Sequence, residues 1–164
     1  MSTVASAKIA LKPELVRTRE EALGVSRKES FRRRNAAFVR QGEWFFIPDA
    51  ELKTDPLLIL RNEPLSRGNG GKPHWAEECY RSGGETVYVS GKYPTGLTAR
   101  EYNRLPDQER KRGNFRVMQR DAAVHVRGEI WHPDHGTVTL NGWHRVFMNT
   151  ENRSMAMRFL AFLD

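Results

Sequence analysis

The stretch "AAVHVRGEIWHPDHGTVTLNGWHRV", residues 122–146, decides how this chain folds. Apolar and polar residues alternate on both sides of Pro133-Asp134-His135-Gly136. A period of two marks a half-buried strand, and two such runs flanking turn residues make a β-hairpin. Turn chemistry by itself favours a four-residue loop over 133–136, with Gly136 in the left-handed position. That register puts His125 opposite His144 and mixes apolar with polar side chains on both faces. A loop one residue shorter pairs His132 with Gly136 and sorts them. One face then carries Val124, Val126, Gly128 and Ile130 with Val138, Leu140, Gly142 and His144. The other carries His125, Arg127, Glu129 and Trp131 with Thr137, Thr139, Asn141, Trp143 and Arg145. A one-residue slip turns every side chain over, and misplacing the aliphatics at roughly 1.5–3 kcal/mol each outweighs an imperfect turn. The shorter register is expected, with a bulge near Gly136 allowed.

Further strands are expected outward from this hairpin. "EWFFIP" (43–48) is aromatic and ends at a proline, "LLIL" (57–60) is a second segment, and "ETVYVS" (85–90) alternates after two glycines. "SRGNGGKPH" (66–74) reads as a loop. "LTAREYNRLPDQERKRG" (97–113) has helical spacing, with Thr98 and Glu101 placed as a capping box. The terminal "MAMRFLAFLD" is apolar enough to dock. At the other end Pro13 and Gly24 bracket a helix over 13–23. Ser26 and Glu29 have capping-box spacing and open a second helix over about 27–40, with Arg32, Arg33 and Arg34 on its solvent face. The implied fold is α+β: a mostly antiparallel curved sheet or small β-barrel over 43–164, with an N-terminal helical hairpin over 1–42 packed on or appended to it.

The stretch "EALGVSRKESFRRR" resembles the turn and second helix of a helix-turn-helix motif. The resemblance covers about 20 residues and implies a second helix that enters the DNA major groove. It departs from the family in that a β-like segment follows instead of a third helix.

The 164 residues fit one domain with a small appendage. The single cysteine, Cys79, excludes an internal disulfide framework and suits a reducing compartment. The opening residues do not make a signal peptide and no apolar run reaches the ~18 residues of a membrane span, so a cytoplasmic protein with no membrane partner is expected. Lys and Arg total 27 against 20 Asp and Glu, a net charge of +7. Such an excess attracts phosphate polyanions through counterion release. The expected partner is therefore a nucleic acid, DNA or RNA, bound without a cofactor or a reaction. The candidate contacts are Arg32, Arg33, Arg34, Arg67, Lys72, Arg116, Arg120, Arg127, Trp131, Trp143 and Arg145. Trp131 and Trp143 beside Arg127 and Arg145 give one sheet face the chemistry for stacking on bases while holding phosphates. The chain then acts alone or as a subunit of a nucleoprotein assembly. A structural subunit with an acidic protein partner is the bland alternative.

An enzymatic alternative rests on histidines. His144 stands about 24 Å along the strand from the turn, at roughly 3.4 Å per residue, too far to join His132 and His135 on one ion. A site forms only if His132 and His135 meet His74, with Glu77 or Glu78 following His74 at helical spacing. That set suits a metal-dependent hydrolase or nuclease. "SRGNGGK" lacks the spacing of a phosphate loop, and Cys79 with His74 matches a nucleophile–base pair in composition only.

Overall fold

The computed structural model describes residues 12–65 and 72–148, together with the backbone of 161–162. The fold is α+β and its two sheets are antiparallel. The main sheet has six strands, in the order β1 (Val39–Gln41), β2 (Trp44–Pro48), β9 (His135–Met148), β8 (Ala123–His132), β4 (Trp75–Ser82) and β3 (Leu60–Pro64). A smaller sheet runs β10 (Ala161–Phe162), β7 (Arg116–Arg120), β5 (Glu85–Val89), β6 (Leu97–Thr98). Both sheets are open, so the barrel alternative is not what forms. Among the described residues no helix is long and apolar enough to cross a membrane.

The hairpin of β8 and β9 keeps the anticipated faces through an irregular register. Ile130, Glu129 and Gly128 face Val138, Thr139 and Leu140, as the shorter loop requires. Nearer the tip the register shifts and His132 pairs with His135, so the turn itself is Pro133-Asp134. At the other end Val126 faces His144 and His125 faces Arg145, two positions out of step with Gly128–Leu140. An offset of two preserves the alternation of faces. Gly128 and Gly142 absorb the bend with φ of 84° and 80°, values that cost a non-glycine residue steric energy. Val124, Val126, Ile130 and Leu140 accordingly pack in one core with Trp44, Phe46, Ala76 and Cys79.

β4 carries a bulge of its own between Ala76 and Glu78. Glu77 sits at this irregularity, its carboxylate accepting the Glu129 backbone N–H at 2.9 Å. The bulge turns both Ala76 and Cys79 into the core, although they are three residues apart. The helical spacing expected around Glu77 and Glu78 is thus a strand interrupted by a bulge. His74 and Cys79 also share this extended segment, and Cys79 is fully buried.

The opposite face of the sheet is covered at one end by α1 (Glu14–Ala22). Val16 packs with Ala37, Phe38, Phe45 and Ile47, a second core on the far side of β2. Glu20, one helical turn on, is buried and bonds the Lys12 ammonium at 2.8 Å. The second helix expected over 27–40 is shortened to α2 (Arg27–Ser30), with the Ser26–Glu29 capping box formed. The Asn35 carboxamide oxygen then accepts from the backbone N–H of Ala37 and Phe38, at 2.8 and 3.1 Å, and turns the chain into β1. Phe38 belongs to one core and Val39 to the other. Adjacent residues facing opposite ways suit a strand and forbid a helix. The helix-turn-helix reading falls with that helix, and Arg32, Arg33 and Arg34 lie on an irregular arm.

Two other expectations shift slightly. "LLIL" splits into a 3-10 turn (Pro56–Leu58) and the start of β3. The helix at 97–113 divides into α3 (Ala99–Arg104), capped by the Thr98–Glu101 box, and α4 (Asp107–Arg112). The loop at 66–74 lies largely outside the described residues. The C-terminal segment is described only where Ala161–Phe162 pairs with Gln119–Arg120.

Candidate functional site

His74 precedes β4, His132 ends β8 and His135 opens β9, so the strand pairing brings three imidazoles to one end of the main sheet. Each offers a nitrogen, and these atoms lie within 4.8 Å of one another. The rings are stacked: His74 lies 4.2 Å from His132 and 5.3 Å from His135, centroid to centroid. His74 is the innermost, 4% exposed, with the Trp44 indole edge-on at 6.3 Å. Its Nε2 is buried and has no hydrogen-bond partner among the described residues. Burial, then the neighbouring His132 and His135, push its pKa down to about 4, so at neutral pH the ring is uncharged. His132 is held at both nitrogens: Nε2 donates to the Lys72 carbonyl and Nδ1 accepts from the Asp134 N–H, each at 3.0 Å.

The β1–β2 turn completes the cluster. Gly42 has φ +57°, and a Cβ there would lie 2.8 Å from His135 Nε2 and 3.3 Å from His74 Nε2. A glycine is needed both for the backbone and for the space the two nitrogens converge on. Gln41, beside it, is buried and spans the tip, its amide donating to the carbonyls of Ile130 and Gly136 at 3.1 and 2.7 Å. Its Oε1 is buried without a partner.

A cleft adjoins the cluster. It is lined by Arg33, Arg34, Arg40 and Gln41 together with Gly42, His135 and Val138, and its volume is about 110 Å³. Small-molecule pockets run to roughly 300–1,000 Å³, so this one accommodates a single charged group. Arg34 donates to the Thr139 carbonyl at 2.9 Å and Arg40 to the Gly42 carbonyl at 2.8 Å. Among the described residues none of the three guanidiniums has a carboxylate within ion-pair distance. Burial and the nearby charge of Arg33 pull Arg40 below its ordinary value, against a weaker pull from Glu43.

The aromatic-basic sheet face is more occupied than alternation alone suggested. The Arg127 guanidinium lies over the Trp143 ring at 4.7 Å and bonds Glu78 at 2.5 Å. Tyr80 meets the same ring at 6.4 Å, and Trp131 stacks against Trp75 at 6.4 Å. Both tryptophans are half-buried, whereas Arg145 is exposed and lies over Phe147. Glu78 is further engaged by Arg61 at 3.4 Å. With Glu77 bonded to Glu129, neither carboxylate stands free beside the histidines. Among the other candidates, Lys72 reaches Asp134 at 3.3 Å in an exposed pair, Arg120 binds Glu85 at 2.6 Å, Arg116 and Arg32 are exposed, and Arg67 falls outside the described residues. His125 and His144 are buried apart from the cluster. His125 bonds Asp49 at 3.1 Å and His144 the Gly142 carbonyl at 2.9 Å.

Sequence reasoning missed Gln41, Gly42 and Arg40. The only local sign was the Gln41-Gly42 step ahead of an aromatic strand, which marks a turn but not what the turn touches. Fold and site together define an open antiparallel α+β protein that gathers imidazoles and guanidiniums at one end of its main sheet. No protein-family model matches the chain, and no curated protein or solved structure matches it either.

Proposed function

We propose that this chain binds nucleic acid through its phosphate backbone, with the cleft of Arg33, Arg34 and Arg40 as the anchoring contact. One observation carries the reading: three guanidiniums line one cleft with no carboxylate paired to them among the described residues. Each guanidinium has five N–H donors, and the backbone takes only one from Arg34 and one from Arg40. A phosphate accepts from two or three such groups at once and offsets the repulsion between Arg33 and Arg40. The exposed Arg32 continues the charge outside the cleft, and the net charge of +7 supplies the long-range attraction. Contacts of this kind fix position and affinity without reading bases.

The test is the salt dependence of oligonucleotide affinity. Fluorescence anisotropy with a labelled single strand is expected to give a log–log slope of several units. Arg33→Ala with Arg34→Ala should weaken binding uniformly across sequences and reduce that slope by about two. Absence of binding at low salt, or an unchanged slope in the double variant, overturns the proposal.

A further inference from the structure

We propose that His74, His132 and His135 form a binding site for one divalent transition-metal ion of the zinc class. The inference does not rest on the nucleic-acid reading, since the arginines that carry that reading supply none of the ligands.

Three observations carry it. The three ligand nitrogens, two from the β8–β9 turn and one from His74 some 60 residues earlier in the chain, lie within 4.8 Å of one another. The Nε2 of His74 is buried with no partner among the described residues, and a buried polar atom of that kind calls for something that binds it. Gly42 stands against the cluster: a Cβ there would lie 2.8 Å from His135 Nε2 and 3.3 Å from His74 Nε2, so any side chain would crowd both nitrogens.

The donor set selects the ion. Neutral imidazole suits zinc, copper, nickel and iron, whereas magnesium and calcium require oxygen ligands. Among the described residues no carboxylate joins the cluster, which argues against the hard cations. The buried thiol of Cys79 lies in the core with Val126, away from the cluster.

Tetrahedral ligands at about 2.1 Å from zinc stand about 3.4 Å from one another. The three rings, stacked as they stand, must re-aim so that their nitrogens draw in by about an ångström. His132 exchanges one of its two backbone hydrogen bonds for the metal–nitrogen bond. Three protein ligands leave a fourth position for water.

The experiment is titration of the chelator-treated full chain with Zn²⁺, by calorimetry, and with Co²⁺, by visible absorption. One ion per chain is expected, with the intense visible bands of four-coordinate cobalt and no thiolate charge-transfer band. His132→Ala and His135→Ala, both at partly exposed positions, should each weaken Zn²⁺ binding at least tenfold while the fold persists by circular dichroism. Failure of the wild-type chain to bind Zn²⁺ one-to-one overturns the proposal. So does an octahedral, weakly absorbing cobalt spectrum, or affinity unchanged in both variants.

Discussion

Gly128→Ala tests how the bulges of the main sheet hold the site end in place. Gly128 has φ +84°, and a Cβ there would overlap the Glu77 carboxylate that accepts the Glu129 N–H. Two costs follow. An L-residue held in left-handed backbone loses about 1–2 kcal/mol. The carboxylate must also swing away and release its bond to Glu129, worth about 1.5 kcal/mol at the low end for a charged acceptor, because Glu77 is exposed. The substitution should cost on the order of 3 kcal/mol in urea unfolding, followed by the fluorescence of the four tryptophans. Glu77→Ala alone should cost about 1.5 kcal/mol. In the Glu77→Ala background the carboxylate is gone and only the residue's Cβ, 3.1 Å away, still crowds the new methyl, so Gly128→Ala should cost little beyond the backbone strain of about 1–2 kcal/mol. The two substitutions are thus non-additive by about 1.5 kcal/mol. Strict additivity would show that Glu77 does not lie over Gly128, and a neutral Gly128→Ala would show that the left-handed backbone is absent.

Stability should fall with acid in the metal-free protein. Burial is the main cause lowering both His125 and His144 from 6.5, so the native state holds them neutral while the unfolded chain takes up protons. Their contribution is complete above pH 6.5 and declines as pH drops below it, at up to about 1.4 kcal/mol per unit for each group; denaturation midpoints unchanged across that range would contradict this. Lys12→Met should cost about 3 kcal/mol, because it removes the counter-ion of Glu20, which is 10% exposed at its side chain and keeps only the neutral hydrogen bonds from Ser30 and Asn35; a loss under about 1 kcal/mol would place the pair in solvent. Trp143→Ala removes a half-buried ring packed on Arg127 and Tyr80 and is expected to cost roughly 2–3 kcal/mol in stability while leaving the salt slope of oligonucleotide binding intact. The opposite pattern, little destabilisation with several-fold weaker binding, would make that ring a base-stacking platform.

The faces of the β8–β9 hairpin were legible because alternation couples directly to burial, and the aliphatic set outweighs any turn preference. The bulges were not, since their makers are Gly128 and Gly142, residues that read in a sequence as weak strand formers. The spacing of Glu77 and Glu78 after His74 reads as helical, whereas the segment from Trp75 is a strand with a bulge between Ala76 and Glu78. The second N-terminal helix failed for a related reason. Ser26 and Glu29 cap one turn correctly, but Ala37, Phe38 and Val39 are consecutive and buried, the first two in one core and Val39 in the other, a run that a one-sided surface helix does not bury. The histidine cluster was visible as a condition: the turn fixes His132 next to His135, whereas the arrival of His74 depends on β4 pairing with β8 some 50 residues later. The arginine cleft depends on the same kind of long-range closure, and Arg40 has no local mark that separates it from other surface cations.

His135 and Gly42 line the cleft and also border the cluster, so the two proposed sites share a wall. An ion at the cluster would add positive charge beside guanidiniums that already repel one another, and would raise the attraction of the cleft for a phosphate. A phosphate in the cleft would in turn offset the repulsion the ion meets on entering. By linkage these effects are one quantity read in two directions. Zn²⁺ should tighten oligonucleotide binding by some factor, and a saturating oligonucleotide should tighten Zn²⁺ by that same factor, within the usual range of about 5–150-fold. His135→Ala should abolish the coupling while leaving the arginine-dependent salt slope in place. Equal affinities with and without the other ligand would mean that the wall transmits no field and that the two sites are electrostatically separate.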